Sequence, residues 1–157
     1  MSEQEREALI AKYKDGYRAV ADALAGASDQ ELDARPAPGK WTAREIVHHL
    51  ADSEMESALR LRRLIALDTP TLQGYDQDEF SRRLHYDRPI HASLDAFRAA
   101  RSTTGDLIDR MKPGDWQREG VHTESGRYSA ETWLQIYAAH AHNHAEQIRR
   151  ARAAGKG

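Results

Sequence analysis

AETWLQIYAAHAHNHAEQIRRARAA, residues 130–154, is the stretch whose pattern decides the fold. Ser129 stands before it as a helix N-cap, a position where a short hydroxyl accepts from free backbone N–H groups. At 100° per residue, with Trp133 at zero, Tyr137 falls at about 40°, His140 at about 340°, His144 at about 20° and Ile148 at about 60°. His142 falls at about 180° on the same wheel. The segment therefore reads as an amphipathic helix from about Ala130 to Ala154, with His140 and His144 on its inner face and His142 toward water.

Outward from this helix the same period recurs. TAREIVHHLADSEMESALRLRRLIAL opens on Thr42 with Glu45 three residues on, a capping box, and runs to about Leu67. Its stripe is Ile46, Leu50, Ser57, Leu61 and Leu64, with Val47 and Ile65 at one edge. From about Glu3 to Ala25, Leu9, Ile10, Tyr13, Tyr17, Val20 and Leu24 predict a first helix, ended by Gly26, and ASDQELD adds an acidic helical turn. A third long helix is expected from about Ser93, its cap, to Met111, with Phe97, Ala100, Thr104, Leu107, Ile108 and Met111 inward. Between the second and third, DTPTLQGYDQDEFSRRLHYDRP is too long for a turn and too aromatic for a flexible linker. It reads as an ordered crossover with a short helix over about Asp76–Leu84, whereas EGVHTESGRY reads as a β-turn or loop. Strand signals are nearly absent. The expected fold is an all-α four-helix bundle, one domain over residues 1–157, with a long crossover between helices two and three.

Composition narrows the function. The 39% apolar and 31% charged content suits helices with narrow buried stripes. Neither a signal-peptide core nor a membrane-spanning run is present, so a cytoplasmic location is expected. A net charge of −2 supplies no positive field for nucleic acid. Arg60, Arg62 and Arg63 are spread around the second helix and read as solvated surface. With no cysteine, any metal must use His or carboxylate ligands, and any nucleophilic thiol must arrive as a cosubstrate.

An inward His pair at i,i+4 places two imidazoles side by side on one ion, yet such a pair also serves as core-edge residues bonded to water or backbone. The second helix offers a third imidazole. With Ile46 at zero, His49 lies at about 300°, at the edge of the apolar stripe, and His48 at about 200°, on the opposite side. Ser53, Glu56 and Arg60 share the polar edge with His49, so the stripe opens onto a polar pocket.

Taken in order, KWTAREIVHHLADSEMES, PTLQGYDQDEF, HTESG and IYAAHAHNHAEQI resemble the YfiT-like branch of the DinB superfamily over roughly Lys40 to Ile148. The resemblance implies a four-helix bundle, commonly a homodimer, with a divalent metal on one His of the second helix and an HxxxH pair of the fourth. Those positions are His49, His140 and His144, the three that the wheels select. The family often has Pro after the loop His and Trp before the first His of HxxxH; Thr123 and Ala139 stand there instead, which alters the pocket lining and with it any carry-over of substrate.

Three neutral imidazoles leave coordination positions open on zinc, nickel or a similar ion. Water bound there is activated for hydrolysis; a low-molecular-weight thiol bound there is held for S-transfer. Glu56, and His122 and Glu124 of HTESG, are candidates for proton transfer or contact with a small-molecule substrate. Against these roles, Glu56 also fits an ordinary i,i+4 ion pair with Arg60, and the other two fit plain loop residues. Gln147 can orient a ligand from behind, and Tyr75 and Trp133 can line the pocket or pack. The expected function is a metal-dependent hydrolase of small molecules. The competing readings are a thiol S-transferase, a non-catalytic metal-binding stress-response module, and a plain helical interaction protein.

Overall fold

The computed structural model describes residues 1–156, and its frame is four long helices. These are α1 (Glu3–Leu24), α3 (Ala43–Ala66), α5 (His91–Ile108) and α6 (Ala130–Ala153), with short helices α2 (Asp29–Asp33) and α4 (Gln77–Arg83) in the connections. Capping boxes start α1 on Ser2 and Glu5, α2 on Ser28 and Glu31, and α3 on Thr42 and Glu45. Ser129 caps α6 by accepting from the Thr132 N–H.

Side-chain pairs give the helix directions. His48 meets Ser93 and Arg62 meets Thr104, so α3 and α5 run parallel. Tyr17 lies on Phe97 and Lys14 on Asp109, so α1 and α5 are antiparallel. His49 and Ser57 of α3 face His144 and Trp133 of α6 in the opposite sense. Parallel neighbours cannot be joined by a tight turn, so residues 67–90 must carry the chain back along the bundle.

Two expectations need correction. The segments after α3 and before α6 form a small sheet: β1 (Thr71–Leu72) pairs parallel with β2 (Glu119–His122), which pairs antiparallel with β3 (Gly126–Ser129). These strands are two to four residues long, too short to show alternation, and they are recruited by pairing with segments distant in sequence. Gly120 allows the pairing, because a Cβ there would stand 2.3 Å from the Pro70 carbonyl oxygen. Ser93 is not the cap of α5 either. The helix begins two residues earlier, after Ile90, and the buried Ser93 hydroxyl is bonded to His48 Nδ1 at 2.7 Å.

The core has two apolar halves. One gathers Val20, Ile46, Leu50, Phe97 and Ile148; the other gathers Tyr13, Leu61, Leu64, Ile108, Trp133 and Leu134. Between them lies a polar layer. Glu54 of α3, buried within it, accepts from the Tyr13 hydroxyl and from Arg101 Nε at 2.9 Å. The Arg101 guanidinium also donates to the Tyr13 and Tyr137 carbonyls, so a single side chain joins α1, α3, α5 and α6. Gly16 makes room for it: a Cβ there would fall 2.1 Å from the guanidinium. Among the described residues no helix is long and apolar enough to cross a membrane.

Candidate metal centre

At this polar layer α3 and α6 bring His49, His140 and His144 together. The ring centroids of His49 lie 5.4 Å from His140 and 4.7 Å from His144, and the latter two are 4.5 Å apart. One nitrogen from each ring falls within 4.8 Å of the others, and among the described residues this is the His and carboxylate group with metal-ligating geometry. The antiparallel packing of α3 on α6 positions it: His140 and His144 stack one helical turn apart, and His49 enters between them from across the interface.

Burial sets the protonation state. His49 is held near pKa 3 by burial and then by the neighbouring His144, and His140 near 2 by burial and then by the charges of His144, His49 and Arg101. Burial also depresses His144, opposed by its hydrogen bond to Gln147. All three are therefore neutral at pH 7, the form that binds a metal. Gln147 Oε1 lies 2.8 Å from His144 Nδ1, accepting its proton and leaving Nε2 free. Trp41 packs on the His49 ring at 4.7 Å and Tyr137 meets the edge of His140 at 5.6 Å. The Nδ1 atoms of His49 and His140 are buried with no hydrogen-bond partner. Buried nitrogens without partners are costly in an ordinary core and are accounted for in a metal site, so these residues fit a bound divalent ion.

The other histidines have structural work. His48, 0% exposed, bridges Ser93 and the Arg88 carbonyl, tying α3 to the end of the crossover. It lies about 100° around the helix from His49, away from the apolar stripe as the wheel requires, but is buried against α5. His142 is partly buried and bonded to the Lys12 carbonyl of α1 at 3.0 Å, not simply turned to water.

Among the proton-transfer candidates, Glu56 is half-buried and makes no ion pair with Arg60. Arg60 turns inward to donate to the Tyr137 hydroxyl at 3.0 Å and the Gln73 carbonyl at 2.9 Å, so it is not solvated surface. Arg62 is half-buried against Thr104, and Arg63 alone of the three is exposed. His122 is buried on Tyr128 and is kept neutral by burial and by the Arg60 charge; its Nδ1 accepts from the Glu124 N–H at 3.2 Å. The Glu124 side chain is exposed and lies against Gly74, whose N–H donates to the Thr123 hydroxyl at 2.9 Å. The HTESG loop is thereby fastened to the crossover. Tyr75 is half-buried against Phe80, and Trp133 is core, its indole N–H donating to the Ser57 carbonyl.

Sequence reasoning missed Glu54 and Arg101, and it put Tyr137 on the inner face without the contact to Arg60. The available signals were a glycine inside α1 and charged residues at stripe positions, both marks of a buried polar contact.

Fold and site together define a four-helix-bundle protein with a three-histidine cluster between its antiparallel helices α3 and α6. The chain belongs to the DinB superfamily, whose sequence profile matches residues 12–148. A relative from Oceanobacillus iheyensis, named as a candidate metal-dependent hydrolase, is 32% identical over 139 residues, covering 88% of this chain and 81% of that protein. Another so named, from Bacillus mycoides, is 26% identical over 139 residues, with 88% and 80% covered. The solved structure of YfiT from Bacillus subtilis, described as a candidate metal-dependent hydrolase with an unusual four-helix bundle topology, aligns with a TM-score of 0.88. It is 25% identical, and the alignment covers 94% of this chain and 86% of that one.

Proposed function

We propose that the protein is a hydrolase of small molecules that works with one divalent metal, zinc or nickel, on His49, His140 and His144. The observation that carries this reading is the convergence of three neutral imidazoles, His49 buried and His140 and His144 half-buried, with two of their nitrogens unpartnered. The names of the relatives point the same way. When bound, such an ion supplies a Lewis acid with positions open to water.

The chain's own residues supply the rest. Gln147 holds the His144 tautomer, Trp41 and Tyr137 fix the ring planes of His49 and His140, and burial withholds competing protons. Glu56, Glu124 and His122 are the groups we assign to proton transfer or substrate contact, and His122, whose Nδ1 is occupied by the Glu124 N–H, offers its Nε2–H as a donor. We place the protein in the cytoplasm as a homodimer.

The test is metal analysis of purified protein, followed by ester and amide hydrolysis assays on wild type and His144→Ala, with and without an added low-molecular-weight thiol. Stoichiometric metal and thiol-independent turnover, both lost in the variant, are expected. Absence of metal after dialysis against zinc, nickel and manganese overturns the reading. Turnover that requires thiol replaces it with S-transfer, and metal without turnover replaces it with a binding module.

A further inference from the structure

Two arginines lie within the polar layer, and only one has a counter-charge. Arg101, 3% exposed, faces the Glu54 carboxylate at 2.9 Å. Arg60, 7% exposed, has only neutral acceptors, the Tyr137 hydroxyl and the Gln73 carbonyl. Among the described residues no carboxylate comes within 4.0 Å of its guanidinium nitrogens, and Nε is buried without any partner. Nearby acids do not compensate it. Asp52 accepts from the Tyr86 hydroxyl at 2.6 Å, and Glu56, one turn before Arg60, makes no ion pair with it. A buried cation without an anion is destabilising, and a protein that needs it only as a strut would gain by replacing it.

Phenols and an imidazole surround Arg60, and although Asp52, Glu54, Glu56 and Glu124 act on the same groups, none of these carboxylates pairs with it. Its charge reaches the hydroxyls of Tyr75, Tyr128 and Tyr137 and the ring of His122. The Tyr128 hydroxyl is likewise buried with no partner. Guanidinium, phenol and imidazole N–H can all donate, and two buried polar groups left without partners, Arg60 Nε and the Tyr128 hydroxyl, suit an oxyanion. The cluster also adjoins the candidate metal centre: Tyr137 accepts from Arg60 on one side and meets the His140 ring at 5.6 Å on the other.

We propose that Arg60, with Tyr128, Tyr137 and His122, recognises an oxyanion group of the substrate, a carboxylate or a phosphate, one aromatic ring away from the three imidazoles. The substrate is then an anionic small molecule whose acidic group docks on Arg60 while its reacting group reaches the imidazoles. The assignment to a substrate rests on the metal-dependent reading above; the oxyanion site itself does not.

The experiment follows thermal unfolding of metal-free protein during titration with sodium phosphate or sodium acetate, against sodium chloride at equal ionic strength. Wild type is expected to gain stability with one of the two anions beyond the chloride control, and the stronger anion identifies the acidic group. Arg60→Met, which keeps the side-chain length and removes the charge, is expected to unfold no lower than wild type in chloride and to need at least tenfold more anion for half its response. Arg60→Lys, which keeps the charge without the planar fork, is expected to respond at intermediate concentrations and decides the question if the Met variant does not fold. Absence of a wild-type response to either anion overturns the proposal, as does an equal response from wild type and Arg60→Lys. A Met variant that loses stability while keeping the anion response also overturns it, marking Arg60 as a strut. Metal content is measured in parallel: an anion response in a protein that takes up no metal sinks the hydrolase reading and leaves the oxyanion site standing.

Discussion

His48 and His49 are adjacent in the chain and divide two tasks between them. His48 uses both ring nitrogens on Ser93 and Arg88, whereas His49 keeps a buried nitrogen free. His48→Ala should therefore lower stability by about 1–3 kcal/mol, the cost of leaving buried groups unpaired, without changing metal stoichiometry. His49→Ala should lose metal uptake, with whatever stability its buried ring supplies, so metal analysis alongside denaturant melts separates the two. Gln147→Leu removes the acceptor that sets the His144 tautomer; metal affinity should fall by about 10–100-fold, as competition with a chromogenic chelator would show. Helix periodicity distinguished these neighbours because a 100° step sends consecutive residues to different surfaces. It did not reveal that the second surface is also buried, since that depends on α5 lying parallel to α3.

The start of α3 orients the segment that carries His49. Thr42 Oγ1 accepts from the Glu45 N–H, and Glu45 in turn accepts from the Thr42 N–H and from Arg35. Thr42→Ala should cost about 1 kcal/mol. Burial works to raise the Glu45 pKa, but the hydrogen bonds from Arg35 and Thr42 outweigh it and hold the carboxyl below its ordinary value of 4.5. A depressed carboxylate contributes stability above its unfolded pKa and loses it as pH falls through the folded one. Wild type should accordingly lose more stability than Glu45→Gln between about pH 5 and pH 3, a difference that paired urea titrations across that range would measure. This cap was legible in the sequence because both of its partners are local. The three-stranded sheet was not, because β1 finds β2 across α4 and α5, and strands so short have no pattern of their own.

Across the whole molecule, the Glu54–Arg101 pair holds the four long helices in register beside the candidate metal centre. Arg101→Leu leaves Glu54 buried without its cation and should cost about 3–5 kcal/mol, read as a large shift in the urea midpoint. Gly16→Ala would drive a methyl group into the same guanidinium and should act in the same direction.

The four long helices, the caps Thr42 and Ser129, the crossover and the three inward histidines were determined by the sequence alone, because each depends on periodicity or on partners within one turn. Only the tertiary structure decided that α3 and α5 run parallel, that His48 and Arg60 are buried, and that Arg101 is paired with Glu54 while Arg60 is left without an anion. Those outcomes depend on which helix faces which, and contacts between residues tens of positions apart leave no local mark in the chain.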